Sequence, residues 1–180
     1  IYVKIMPDKL EIGVSNFVAN YEDVNIGLNN LLQGKIKEGF SDIGRLLVNS
    51  TIGVLGFVDV ASKMGLEKHD EDFGQTLGYW GISSGPYIVL PFLGPSSLRD
   101  TVAEIPDAFL GGLFFVDHER TAYELTLVDL LETRARYLGM ESLVIGDEYL
   151  FYRDAYFQNR EYEILDGIMD DNFEDFEDFD

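Results

Sequence analysis

The sequence predicts an all-α fold in a single domain, and three observations carry that expectation. Its 180 residues, 46% of them apolar, fall in the usual range of one domain with one core. Apolar residues recur at three- and four-residue spacing, the period of an amphipathic helix, through the first fifty positions. Later segments are bracketed by helix-starting and helix-stopping residues, whereas alternating strand patterns are scarce.

Leu10, Val14, Phe17, Val18 and Tyr21 form a first stripe, with Pro7 suited to a helix start. Val24, Leu28, Leu31 and Leu32 form a second, ended by Gly34, and Ile36, Phe40, Ile43 and Leu47 a third. Three short helices are expected, each burying its apolar stripe. Asn49 to Gly56 reads as irregular, Phe57 to Met64 as one or two helical turns, and Glu67 to Asp72 as a solvated turn. Ser96 or Ser97 caps a segment running toward Ile105, where Pro106 interrupts it. The uncharged stretch Ala108 to Val116 follows. Asp117 then opens the longest helix, with Tyr123, Leu127, Leu130, Leu131 and Leu138 on one face and Gly139 as its stop. Asp147 caps an aromatic-rich last helix reaching about Leu165.

Residues 1–168 thus make the helical domain, and 169–180 an acidic tail. Asp170 to Asp180 holds seven acids and no base, the composition of a disordered, solvated segment. Phe173, Phe176 and Phe179 recur every third residue, so a helical tail would instead present an apolar strip to a partner.

The net charge is -20. A surface so acidic repels phosphates over about 8 Å at physiological salt, which excludes nucleic acid as a partner class. The thirteen basic residues are scattered, so membrane attachment must be apolar or covalent rather than polybasic. With no cysteine, disulfides, Cys-based zinc sites and thiol nucleophiles are excluded. A chain opening on Ile1 fits a processed form.

Phe73 to Leu98 runs for twenty-six residues without a charge, longer than the roughly 20 needed to span a bilayer. Gly74, Gly78, Gly81, Gly85, Gly94, Pro86, Pro91 and Pro95 interrupt it, which disfavours an ordinary spanning helix. A re-entrant or interfacial segment fits, as does a core segment of a soluble globule. Inside the run, Gly81-Ile-Ser83-Ser84-Gly85 matches the G-x-S-x-G of a hydrolase elbow, but that motif needs a strand before the serine and a helix after it. Leu77 to Trp80 offers no strand and Pro86 to Leu90 reads as extended. The two histidines, His69 and His118, have no triad or metal-ligand spacing, and no phosphate loop is present. Neither catalysis nor a cofactor or metal is expected.

The strings Phe73-Gly-Gln-Thr-Leu-Gly-Tyr-Trp-Gly81, Gly85-Pro-Tyr-Ile-Val-Leu-Pro91 and Leu93-Gly-Pro-Ser-Ser-Leu-Arg-Asp100 resemble the signature of the MlaA (VacJ) family of outer-membrane lipoproteins. Its landmarks here are Phe73, Gly85, Pro86, Pro91, Gly94, Pro95, Arg99 and Asp100. Flanking matches follow in order: Gly13-Val-Ser-Asn-Phe17, Asn29-Asn-Leu-Leu-Gln-Gly34, Gly44-Arg45 with Asn49-Ser-Thr51, Gly56-Phe-Val-Asp-Val-Ala61, Glu132-Thr-Arg-Ala135 and Tyr152-Arg-Asp-Ala-Tyr-Phe-Gln158.

The resemblance implies a helical ring in the periplasm-facing leaflet of the outer membrane, around an amphipathic channel. It implies removal of mislocalised phospholipids from the outer leaflet, delivery to the periplasmic carrier MlaC, association with a trimeric porin, and no bond made or broken. The family's lipidated cysteine and Phe/Asn-rich start are not in this chain, so the anchor is expected in the full-length precursor. Along such a path, Gly81, Ser83, Ser84, Gly85 and Tyr87 are candidate lining residues. Arg99 either holds a lipid phosphate or ties down Asp100 and neighbouring backbone. A lipid esterase using residues 81–85 and a porin-associated scaffold are the alternatives.

Overall fold

The computed structural model describes residues 8–91, 93–109 and 147–168. Five helices account for most of them: α1 (Asp8–Leu32), α2 (Ile36–Thr51), α3 (Phe73–Tyr79), α4 (Leu98–Ala108) and α5 (Glu148–Ile164). A 3₁₀ turn spans Ser62–Met64, and β1 (Tyr87–Leu90) pairs antiparallel with β2 (Gly94–Ser97), Tyr87 facing Ser97 and Leu90 facing Gly94. The predominantly helical class therefore holds, with this short hairpin added inside the Gly/Pro-rich run. The helix expected from Asp117 and the acidic tail lie outside the described residues.

Three boundaries differ from expectation. The first two predicted helices are one, because nothing between Tyr21 and Val24 breaks the backbone. The stop comes at Gly34, whose φ of +82° suits a residue without Cβ. Pro106 does not end α4, which continues to Ala108. It sits in the last turn, where the Phe109 N–H still reaches the Ile105 and Pro106 carbonyls and few helical bonds remain to be lost. The segment expected to be irregular from Asn49 begins later, since Asn49 to Thr51 belong to α2. The expected last helix is observed, with the Asp147 carboxylate accepting the Leu150 N–H.

The largest departure concerns which helix faces are buried. Among the described residues the buried apolar side chains are Ile26, Ala61 and Ala103, while fifteen polar or charged residues are buried. On α1 the inner face is Asn20, Asp23, Ile26, Gly27, Asn29 and Asn30, with Gln33 buried just past its end, and on α2 it is Gly39, Asp42, Arg45 and Asn49. The predicted stripes instead lie half-buried or outward, with Leu32, Ile36, Phe40 and Leu47 exposed. The helical period was legible, but the polar stripe turns inward.

Two glycines let α1 and α2 cross closely. A Cβ on Gly39 would stand 2.9 Å from the Gly27 carbonyl and 2.7 Å from Leu31 Cγ. Among the described residues no helix is long and apolar enough to cross a membrane.

Candidate functional site

The site grows from the start of α4. Ser97 has an extended backbone and caps the helix, its Oγ accepting the Asp100 N–H at 3.2 Å while donating to Asp100 Oδ2 at 2.6 Å. Asp100 also accepts hydrogen bonds from Arg99 Nε (2.9 Å), Tyr156 Oη (2.5 Å) and Arg160 Nη2 (3.3 Å). Burial pushes the Asp100 carboxyl up, but the bonds from Arg99, Ser97 and Tyr156 and the charge of Arg160 outweigh it and hold the group at about 2. Tyr156 is driven the opposite way, by burial and by the anion it faces.

Arg160 carries this network from α5 to α3. Its Nη1 and Nη2 pair with the two Asp72 oxygens at 2.7 and 2.5 Å, and Nη1 also reaches Glu163 at 3.0 Å. Asp72 simultaneously caps α3 by accepting the Gln75 N–H at 2.8 Å. Close approach depends on two glycines one helical turn apart. A Cβ on Gly74 would collide with Arg160 Nη2 at 2.5 Å, and one on Gly78 with Ile164 Cδ1 at 2.6 Å.

A second polar belt fastens α3 to the α1–α2 hairpin. Thr76 donates to Asn29 Oδ1 at 2.8 Å, Gln33 donates to Glu71 at 2.6 Å, and Lys35 joins Glu71 (2.7 Å) and Asp166. Asp107 takes the Phe73 N–H at 3.0 Å and Asn25 at 2.7 Å. Glu71 is buried and Asp72 caps a helix, so the expected solvated turn over Glu67 to Asp72 is in its second half a packed junction.

Of the predicted lipid-path residues, three come together. Ser83, Ser84 and Arg99 line a cleft of about 350 Å³ opposite Phe157, Glu161 and Ile164 of α5. Arg99 is 6% exposed; besides Asp100 it donates to the Ile82 carbonyl at 3.2 Å. Gly81 and Gly85 are exposed and do not line the cleft. Tyr87 packs its ring against Tyr149, Tyr156 and Phe157, at centroid distances of 5.5 to 6.0 Å.

The landmark residues are dispersed. Phe73 meets Trp80 edge-on at 6.2 Å, Pro86 accepts the Leu98 N–H at 3.1 Å, and Pro95 pairs with Val89 across the hairpin. Gly94 ends that turn opposite Leu90 and Pro91 is exposed. Sequence reasoning missed Asp72, Tyr156 and Arg160 as members of one network. The only local signal was the helix-cap position of Asp72.

Around Ser83 the backbone runs from α3 through an irregular stretch into β1, so a helix precedes the serine and a strand follows it. That is the reverse of a nucleophile elbow. His69 is held by Asp42, Nδ1 to Oδ1 at 3.0 Å, in the other half of the molecule. His118 lies outside the described residues. Among those residues no group of acids and histidines has the geometry to hold a metal ion.

Comparison with known proteins adds an independent line. The family model described as MlaA lipoprotein matches residues 1–163. The intermembrane phospholipid transport system lipoprotein MlaA of Escherichia coli (strain K12) is 34% identical over 162 residues, which cover 87% of this chain and 64% of that one. The protein of the same description from Haemophilus influenzae is 28% identical over 176 residues, covering 91% and 68%. This chain therefore spans 64% of the length of its Escherichia coli relative. A solved structure described as "Structural basis for maintenance of bacterial outer membrane lipid asymmetry" is similar with a TM-score of 0.77 and 30% identity, covering 91% of this chain and 84% of that one.

Proposed function

The chain belongs to the MlaA lipoprotein family, and from that premise we propose that it is a phospholipid conduit of a Gram-negative outer membrane. It withdraws phospholipids misplaced in the outer leaflet and passes them to the periplasmic carrier MlaC, preserving lipid asymmetry. It does so without catalysis, seated in the periplasm-facing leaflet beside a trimeric porin.

One observation carries this reading beyond the relatives' names: the inverted burial of the described residues. A water-soluble domain buries apolar side chains and hydrates charged ones. Here Asp23, Asp42, Arg45, Arg99 and Asp100 are inside, while Ile36, Phe40, Leu47, Ile52, Val54, Leu55 and Phe57 are outside. Apolar exteriors of this extent favour contact with hydrocarbon, and a polar interior supports a headgroup's passage. Moving a charged headgroup through hydrocarbon unaided is costly. A wall of serines, backbone and neutralised ion pairs lowers that cost while the acyl chains remain against the apolar exterior.

The test is lipid transfer. The purified chain in detergent is expected to carry phospholipid by mass spectrometry and to load MlaC with it from vesicles. Protein that binds porin but carries and transfers no lipid would leave the scaffold reading instead, and lipid-ester cleavage abolished by Ser83→Ala would support the esterase.

A further inference from the structure

The cleft between the 82–85 segment and α5 has a charge pattern that the conduit reading alone does not require. Ser83 and Ser84 contribute two hydroxyls that have no hydrogen-bond partner among the described residues. Arg99, the cation lining the cleft, is already matched by Asp100 at 2.9 Å. Arg160, behind it, is matched by Asp72, Asp100 and Glu163. Across from them Glu161 is exposed and has no ion-pair partner among the described residues. The cleft thus offers hydrogen-bond donors on one wall and, on the other, a carboxylate without an ion pair among the described residues.

A phosphodiester suits the donor wall, because the two serine hydroxyls can donate to its oxygens beside the positive charge of Arg99. What suits Glu161 is a cation one short linker away from that phosphate. A headgroup with net negative charge would instead bring its anion toward a cleft whose surrounding carboxylates outnumber its arginines, in a protein of net charge -20. At about 350 Å³ the space matches a headgroup and the top of the glycerol, at the small end of ligand pockets. The acyl chains would then lie along exposed Leu165, Ile168 and Ile82.

Resting on the conduit reading above, we propose that this cleft selects phospholipids with an ammonium-bearing, zwitterionic headgroup of the phosphoethanolamine class over net-anionic phosphoglycerol lipids, with Glu161 as the specificity-determining residue.

The experiment exposes the full chain to vesicles of equal phosphatidylethanolamine and phosphatidylglycerol and measures the ratio of captured lipids by mass spectrometry. The expected ratio favours the ethanolamine lipid by about threefold, the scale of one partly exposed ion pair. Glu161→Gln is expected to return the ratio to that of the vesicle, and Glu161→Lys to invert it. Glu67→Gln, which removes the same charge from a distant exposed turn, is expected to leave the ratio of the unmodified chain unchanged. Because Glu161 is exposed, these variants should keep native helicity by circular dichroism. Capture of both lipids in the vesicle's own proportion, or an enrichment that survives Glu161→Gln, overturns the proposal while leaving the conduit intact. Capture of neither lipid overturns the conduit and the selectivity together.

Discussion

The α1–α2 hairpin and the junction of α3, α4 and α5 each bury a carboxylate beside an arginine, and the two carboxylates end in opposite states. Asp23 is fully buried, yet its closest cationic atoms are Arg45 Nε at 3.5 Å and Lys68 Nζ at 3.9 Å, and neither oxygen has a hydrogen bond. Burial raises it to about 6. Lys68 and Arg45 offset only part of that, and Asp42 and Asp59 add to it. Asp100, nearly as buried, is held at about 2 because four side chains donate to it. The difference shows that proximity of an opposite charge does not settle a buried acid; hydrogen bonds aimed at its oxygens do. The junction is the half whose buried acid is fully hydrogen-bonded, and it is the half that forms the cleft.

The sharpest way to break this comparison is to remove a cation from each side. Arg160→Met takes one cation from buried Asp100 and the main partner from half-buried Asp72, and should cost about 2 to 3 kcal/mol in denaturant unfolding. Lys68→Met takes away a one-third exposed ammonium 3.9 Å from Asp23, and should cost less than about 1 kcal/mol. Equal losses would show that the two networks do not differ in the way their geometry states.

A pH titration separates the acids next. Asp23 has a folded pKa of about 6 against an unfolded value near 4, so the native state must ionise it at a cost. Its contribution to stability is favourable at low pH and is lost as pH rises from about 4 through 6, on the order of 2 to 3 kcal/mol in all. Asp100 does the reverse. Its contribution is present above about 4 and is lost as pH falls toward 2. Asp23→Asn should therefore raise the unfolding midpoint at pH 8, with the gain vanishing by pH 4. A gain independent of pH would disprove the raised pKa.

How far the fold and cleft were legible follows from the same physics. Helical period, the stops at Gly34 and Leu165 and the cap at Ser97 depend on neighbours within one turn, and all could be read locally. The inward polar face of α1 could have been read too, since Asn20, Asp23, Gly27 and Asn30 keep helical spacing. The apolar stripes of the same helix compete with it as the candidate inner face, and the period alone does not say which of the two turns inward. The break expected between Tyr21 and Val24 follows from reading a shift in the apolar stripe as a boundary, although no Gly or Pro stands there and α1 runs through. Arg160 meeting Asp72 across 88 residues has no local signature. Of the six lipid-path candidates in the sequence, Ser83, Ser84 and Arg99 line the cleft and Gly81, Gly85 and Tyr87 do not; Glu161 has no signal of its own, because a lone glutamate on an exposed helix face is unremarkable until the opposite wall is known.

The smallest effect tests whether a helix cap in the junction does more than a cap outside it. Ser97 and Asp147 both accept an N–H from the third residue after them, Ser97 buried at 3.2 Å and Asp147 exposed at 3.1 Å. Replacing Asp147 with Ala should cost about 0.5 to 1 kcal/mol, the ordinary value of a cap. Ser97→Ala loses that and also the 2.6 Å donor to Asp100, so its cost should be higher, about 1 to 2 kcal/mol. The two variants should differ most in acid. Without Ser97, fewer donors oppose the burial of Asp100, its folded pKa rises toward the unfolded value, and the acid-unfolding midpoint moves to higher pH. Asp147→Ala should leave that midpoint nearly where it was. If both variants shift it equally, Ser97 acts only on helix ends and the lowered pKa of Asp100 rests on its arginines and Tyr156 alone.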